Sequence, residues 1–109
     1  MNLPTEVFGH VVVIHSPEEL AVDQADGFRN FVTRQERSNV VLDIDNSETI
    51  TSDGLAALLD TQDQLRQKSG DLKIATTNSM NRKILEITRL DQQLEVFEGV
   101  IDAVKSFRA

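Results

Sequence analysis

The chain has 109 residues, which suffices for one domain with a single modest core and is too short for two. Its 11 Lys and Arg against 18 Asp and Glu leave a net charge of −7, which argues against nucleic acid as a partner, because a binder needs a basic face to displace counterions from phosphates. It has no cysteine, which excludes disulfides, thiolate catalysis and cysteine-based zinc or iron–sulfur sites.

The opening residues MNLPTEVFGH lack a basic start followed by an apolar run, so no signal peptide is expected. No apolar stretch approaches the roughly 20 residues of a membrane span, and a cytoplasmic location without membrane insertion is expected. Five Phe with no Trp or Tyr offer no stacking platform for single strands.

In chain order, Val7-Phe8 before Gly9 offers a first short strand, and Val11 to His15 a β-branched strand across a turn from it. Ser16-Pro17-Glu18-Glu19 reads as a helix start, with Pro allowed in the first turn. Apolar residues at Ala21, Ala25, Phe28 and Val32 then mark one face of a helix from Ala21 to about Glu36, and Asn39 breaks the pattern. Val40 to Ile44 is apolar nearly throughout, as a strand covered on both faces is.

Another helix is expected from about Asp53 to Lys68, its stripe made by Leu55, Leu58, Leu59, Gln62 and Leu65. Ser52 is its expected N-cap, with Asp53 at the first helical position, and Ser69-Gly70 its stop, Gly70 supplying the left-handed residue. Leu72 to Ala75 is a strand. Ser79 is the expected cap of a short helix with the face Met80, Ile84 and Ile87. Leu94 to Phe97 is a strand, and after Gly99 a closing helix turns Val100, Val104 and Phe107 inward. Strands alternating with helices predict a mainly parallel sheet with right-handed crossovers, and neither a repeat nor a linker divides residues 1–109.

Chemistry-bearing residues are sparse. His10 and His15 flank one strand five residues apart, so they point to opposite faces and do not share a metal. Asp43 and Asp45 lie at the carboxyl end of a central strand, where open α/β sheets bind ligands. A Mg-dependent, receiver-like phosphoacceptor would use such an aspartate, with Glu18 and Glu19 imitating its acidic pair, yet the chain has no room for that fold's fifth strand and its lysine. No nucleophile elbow, P-loop or dinucleotide fingerprint occurs, so no enzyme class is supported and no cofactor is expected. Thr51-Ser52-Asp53-Gly54 joins a buried strand to a helix. Capping accounts for it, but the same position is an exposed, anion-tolerant corner at the sheet's carboxyl edge.

Three stretches together resemble the STAS family, the sulfate transporter and anti-sigma factor antagonist domains. They are VVLDIDNSETITSDGLAALL, GDLKIATTNSMNRKILEITRLDQQLEVF, and the opening strand with the helix after it. VVLDIDNSETITSDGLAALL is similar to the family's strand, "D-S-S-G-L" and helix. The stretch from Gly70 to Phe97 resembles its glycine turn, third strand, short helix and closing strand. The resemblance implies an α/β, STAS-like single domain with a four- to five-stranded mixed, mainly parallel sheet and four α-helices. It also implies a non-enzymatic binding module.

In bacterial antagonists of this family the serine before Gly-Leu is phosphorylated by a partner that is both serine kinase-like ATPase and anti-sigma factor, and only the dephosphorylated form docks. Such a protein partner is what the resemblance implies here, and a homodimer is compatible with it. A scaffold subunit of a transport or signalling complex is the other role the family offers.

This chain departs from the pattern at the decisive position. Asp53 holds the phosphoacceptor place, Ser52 that of the first serine and Thr51 that of the aspartate; Glu18 stands where Gly is usual and Ala21 where Asp is usual. Asp53 then acts as a built-in charge, or the acceptor moves to Ser52 or Thr51, or the switch is lost and the domain binds constitutively. In each case the partner meets Thr51, Ser52, Asp53 and Gly54.

Overall fold

The computed structural model describes residues 1–107. Strand β1 (Thr5–Phe8) turns through Gly9-His10 into β2 (Val11–His15), and the two pair antiparallel. A two-residue strand β3 (Glu19–Leu20) precedes helix α1 (Val22–Thr33). Strand β4 (Asn39–Asp43) is followed by the short β5 (Thr49–Ile50) and helix α2 (Ser52–Gln67). Strand β6 (Asp71–Ala75), helix α3 (Ser79–Ile87), a 3₁₀ turn (Leu90–Gln92), strand β7 (Val96–Phe97) and helix α4 (Val100–Lys105) complete the described chain.

The main sheet has five strands in the order β1-β2-β4-β6-β7, all parallel apart from the β1–β2 hairpin. Its faces follow from the two-residue period of a strand. Val12, Ile14, Val40, Leu42, Leu72 and Ile74 point to the side covered by α1 and α2, where they meet Phe28, Val32, Leu58 and Leu65. Val11, Val13, Val41 and Ala75 point to the side covered by α4, where they meet Ala103, Val100, Val104 and Phe107. Both faces are dry, which is why β2 and β4 read as continuous apolar runs.

Lys73 is an exception on the α4 side, only 7% exposed within β6. Its stem lies in the core while its ammonium donates to Ser106 Oγ at 2.8 Å and sits 4.4 Å from the Phe107 ring centroid. This lysine fastens the end of α4 to the sheet.

Several local expectations are corrected. Ser16 to Glu19 is not a helix start. Ser16 is buried, its hydroxyl 2.7 Å from that of Ser47, and Glu19–Leu20 pair in parallel with Thr49–Ile50 as a separate ribbon. Helix α1 begins after Ala21 and ends at Thr33, whose carbonyl accepts from Lys68 Nζ at 2.6 Å. Asn39 opens β4, and the last sheet strand is confined to Val96–Phe97, since the Leu94 N–H is bonded back to the Leu90 carbonyl at 2.7 Å in the preceding turn.

Ser69, not Gly70, takes the left-handed conformation after α2, with φ 67°. Gly70 is required for a different reason: a Cβ there would overlap the Ser38 carbonyl. Asn78, not Ser79, caps α3, its side chain accepting from the Met80 and Asn81 N–H groups at 2.8 and 3.2 Å. The inward face of α3 is Asn81 and Leu85 with Ile84 half-buried, while Met80 and Ile87 are 70% and 71% exposed.

Candidate functional site

The corner between β5 and α2 is built from backbone up. The β3–β5 ribbon is held by Glu18, whose carbonyl accepts from Glu48 N at 2.8 Å and Thr49 N at 3.2 Å. Thr51 N donates to the Leu20 carbonyl at 3.0 Å, which ends the ribbon and places Thr51 at the helix boundary. There its φ and ψ are −96° and 171°, extended as a cap requires, and its Oγ1 accepts from Gly54 N at 3.3 Å. The same hydroxyl donates to the Leu20 carbonyl at 3.3 Å.

The expected cap is therefore shifted by one residue. Thr51 is the N-cap, Ser52 is the first helical residue and Asp53 the next. Ser52 and Asp53 are both exposed, whereas Thr51 is half-buried and Gly54 is buried. Freed from capping, Ser52 is exposed on the first turn of α2, where negative charge is stabilised by the helix dipole. The Asp53 carboxylate occupies the same favourable end. Chemically, the corner presents a carboxylate and a serine, both exposed, on one helical turn.

Asp43 and Asp45 do not converge with these residues on a common centre. Asp43 Oδ2 lies 2.9 Å from His15 Nδ1, and its Oδ1 accepts from Asp45 N at 3.0 Å. Asp45 turns to the start of α3, where Oδ1 accepts from Thr76 Oγ1 at 2.7 Å and Thr77 N at 2.8 Å, and Oδ2 from Thr77 Oγ1 at 2.8 Å. Partial burial raises the Asp45 pKa, but the Thr76 and Thr77 hydrogen bonds outweigh it and hold the carboxyl below its ordinary value. Among the described residues, no three His, Asp or Glu side chains gather at metal-binding spacing. Glu18 and Glu19 are exposed on the ribbon.

Loop 44–48 is tied down from α3. Asn81, buried, donates through Nδ2 to the Ile44 carbonyl at 3.0 Å and the Ser47 carbonyl at 3.3 Å, and Ser47 Oγ donates to the Pro17 carbonyl at 2.7 Å. None of these contacts is legible in the sequence, although "TTN" before a helical pattern is a capping signal that Asp45 and Asn78 answer. His10 lies in the turn before β2, its Nε2 3.4 Å from the Phe107 carbonyl on the α4 side, which is also the side His15 faces. The expectation of opposite faces is corrected, because His10 is outside the strand, and the two histidines are kept apart by the length of β2.

Doubly covered parallel strands, a β1 hairpin at one edge and an exposed corner at the start of α2 define the class: an α/β domain of STAS type. The family model described as "STAS domain" matches residues 2–103, and the chain belongs to that family. Among solved structures it is similar to an anti-sigma factor antagonist of Mycobacterium paratuberculosis, at 20% identity and TM-score 0.84 over 99% of this chain and 94% of that one. The Bacillus cell fate determinant SpoIIAA in its phosphorylated form superposes at 16% identity and TM-score 0.70 over 98% and 100%. A sulfate transporter family protein from Wolinella succinogenes does so at 17% identity and TM-score 0.76 over 93% and 87%. No curated protein sequence matches the chain. Among the described residues no helix is long and apolar enough to cross a membrane.

Proposed function

We propose that the chain is a non-enzymatic protein-binding regulator of the anti-sigma factor antagonist type, docking through the exposed Ser52 and Asp53 on the corner that Thr51 and the buried Gly54 shape. The partner class is an anti-sigma factor that is also a serine kinase-like ATPase. The single observation carrying this reading is the exposed Asp53 carboxylate on the first turn of α2, at the family's phosphoacceptor position.

An aspartate there cannot be charged and discharged by a kinase. It carries one negative charge, where a phosphoserine carries about 1.5 to 2 and more acceptor oxygens. Docking at this corner is thus governed by a permanent charge and not by modification of residue 53. Thr51 is unsuited to replace the acceptor, since its hydroxyl is held between Leu20 and Gly54. Ser52 is the remaining hydroxyl within reach of a kinase.

The test is capture of the partner from the native host on the immobilised chain, identification of its catalytic domain, and titration calorimetry of the purified pair. Asp53→Ala is expected to change Kd several-fold more than Asp63→Ala, a change at an exposed position further along the same helix. Equal effects of the two substitutions would take Asp53 out of the interface. A partner without an ATPase fold would instead favour a scaffold role in a larger assembly. Asp53→Ser is expected to restore phosphate transfer from a family kinase, read by mass spectrometry.

A further inference from the structure

At the carboxyl edge of the sheet, on the α4 side, His15 stands between two carboxylates from different strands. Its Nε2 is 2.9 Å from Glu6 Oε1 on β1, and its Nδ1 is 2.9 Å from Asp43 Oδ2 on β4. An ionised carboxylate only accepts hydrogen bonds, and a neutral imidazole has only one N–H. Both contacts are therefore satisfied together only by the imidazolium. On loss of a proton, one ring nitrogen presents a lone pair to a carboxylate oxygen.

The place of this cluster in the fold gives it a consequence. Strand β1 is the edge of the sheet, all four of its residues are exposed, and its ladder partner is β2. Glu6 is 58% exposed at its side chain, whereas His15 and Asp43 are 23% and 17% exposed, so the pair is anchored on the buried side. Among the described residues no other charged group pairs with the ring. Asp45 is turned to Thr76 and Thr77, and α4 lays Val100, Ala103 and Val104 on this face of the sheet while its Asp102 and Lys105 are exposed.

We propose that His15 is a proton-dependent clasp that fastens edge strand β1 to β4 across β2, holding β1 closed while the ring carries both protons and loosening it when one is lost. The hydrogen bond to Glu6 raises the His15 pKa most; partial burial opposes it, and the bond to Asp43 with both negative charges adds to it. A histidine raised in this way contributes stability that is fully present below its unfolded value of about 6.5 and is lost as pH rises through the folded value.

The experiment is NMR titration of the His15 ring with amide hydrogen exchange of Glu6, Val7 and Phe8 in the intact chain. The ring nitrogens should both report N–H at low pH, and the midpoint should lie above that of an unfolded histidine. Across the interval between the open-strand and closed-strand midpoints, the opening constant of β1 should rise up to about tenfold per pH unit beyond the intrinsic base-catalysed exchange. Glu6→Gln, at an exposed position, should lower the midpoint and abolish the added pH dependence, and His15→Gln should leave β1 opening independent of pH in that interval. An unchanged midpoint in Glu6→Gln, or β1 protection that does not follow His15 titration, would overturn the clasp.

Discussion

Gly54 packs its Cα against the backbone of Leu20, and a Cβ added at position 54 would overlap the Leu20 carbonyl and approach the Leu20 Cβ to 3.2 Å. This contact explains the glycine in "SDGL" without reference to any partner. It lets the β3–β5 ribbon lie directly on the first turn of α2, and so sets the corner's shape. Gly54→Ala is expected to cost about 1–3 kcal/mol, the usual range for overpacking against atoms that cannot give way. Urea unfolding checks it, and an unchanged midpoint would mean that the ribbon does not rest on the helix.

The shifted cap separates two neighbouring hydroxyls. Thr51→Ala should destabilise the chain by about 0.5–2 kcal/mol, because the Gly54 amide loses its acceptor, while Thr51→Ser should retain most of the stability. Ser52→Ala should fall within about 0.5 kcal/mol of the parent, as exposed substitutions without partners do. The reverse order in chemical denaturation would return the cap to Ser52.

The end of α2 offers a stabilising change. Ser69 has φ 67°, a conformation that costs a side-chain-bearing residue about 1–2 kcal/mol relative to glycine's freedom. Ser69→Gly should therefore raise the unfolding midpoint, with a gain of about 1 kcal/mol. Gly70→Ala should lower it, through the Ser38 carbonyl. Thermal unfolding of both variants distinguishes a need for backbone freedom from a need for space.

Asp45 carries the acid dependence of the loop before the site. Its pKa is lowered from the ordinary 3.8, burial being outweighed by the Thr76 and Thr77 donors. Its stabilising contribution is thus present above the unfolded value and is lost as pH falls through the lower folded one. Asp45→Asn should lower stability at neutral pH and flatten the stability curve below about pH 4. A curve of unchanged acid slope would show that the network does not favour the ionised form.

Much of this architecture is legible in the sequence because apolar periodicity reports burial directly. VVVIH and VVLD announce strands covered on both faces, and Leu58, Gln62 and Leu65 fall on the buried stripe of α2 as spaced. Helix α3 shows where that reasoning fails. Its apolar residues suggest the face Met80, Ile84 and Ile87, but Asn81 takes an inward position because its carboxamide satisfies two buried carbonyls of loop 44–48. A polar residue compensated by such bonds leaves Met80 and Ile87 in solvent, and spacing by itself cannot register a partner 37 residues away.

The sequence alone determined the alternation of strands and helices, the parallel sheet it entails, the family likeness and the presence of an acid at residue 53. These follow from side-chain period and local chemistry, which act between near neighbours. Tertiary structure decided that Thr51 and not Ser52 caps α2, that Glu19–Leu20 form a ribbon with Thr49–Ile50, and that His15 meets both Glu6 and Asp43. Each of these depends on which backbone or side chain arrives from a distant part of the chain to complete a hydrogen bond, and only the closed fold brings those groups within about 3 Å of one another.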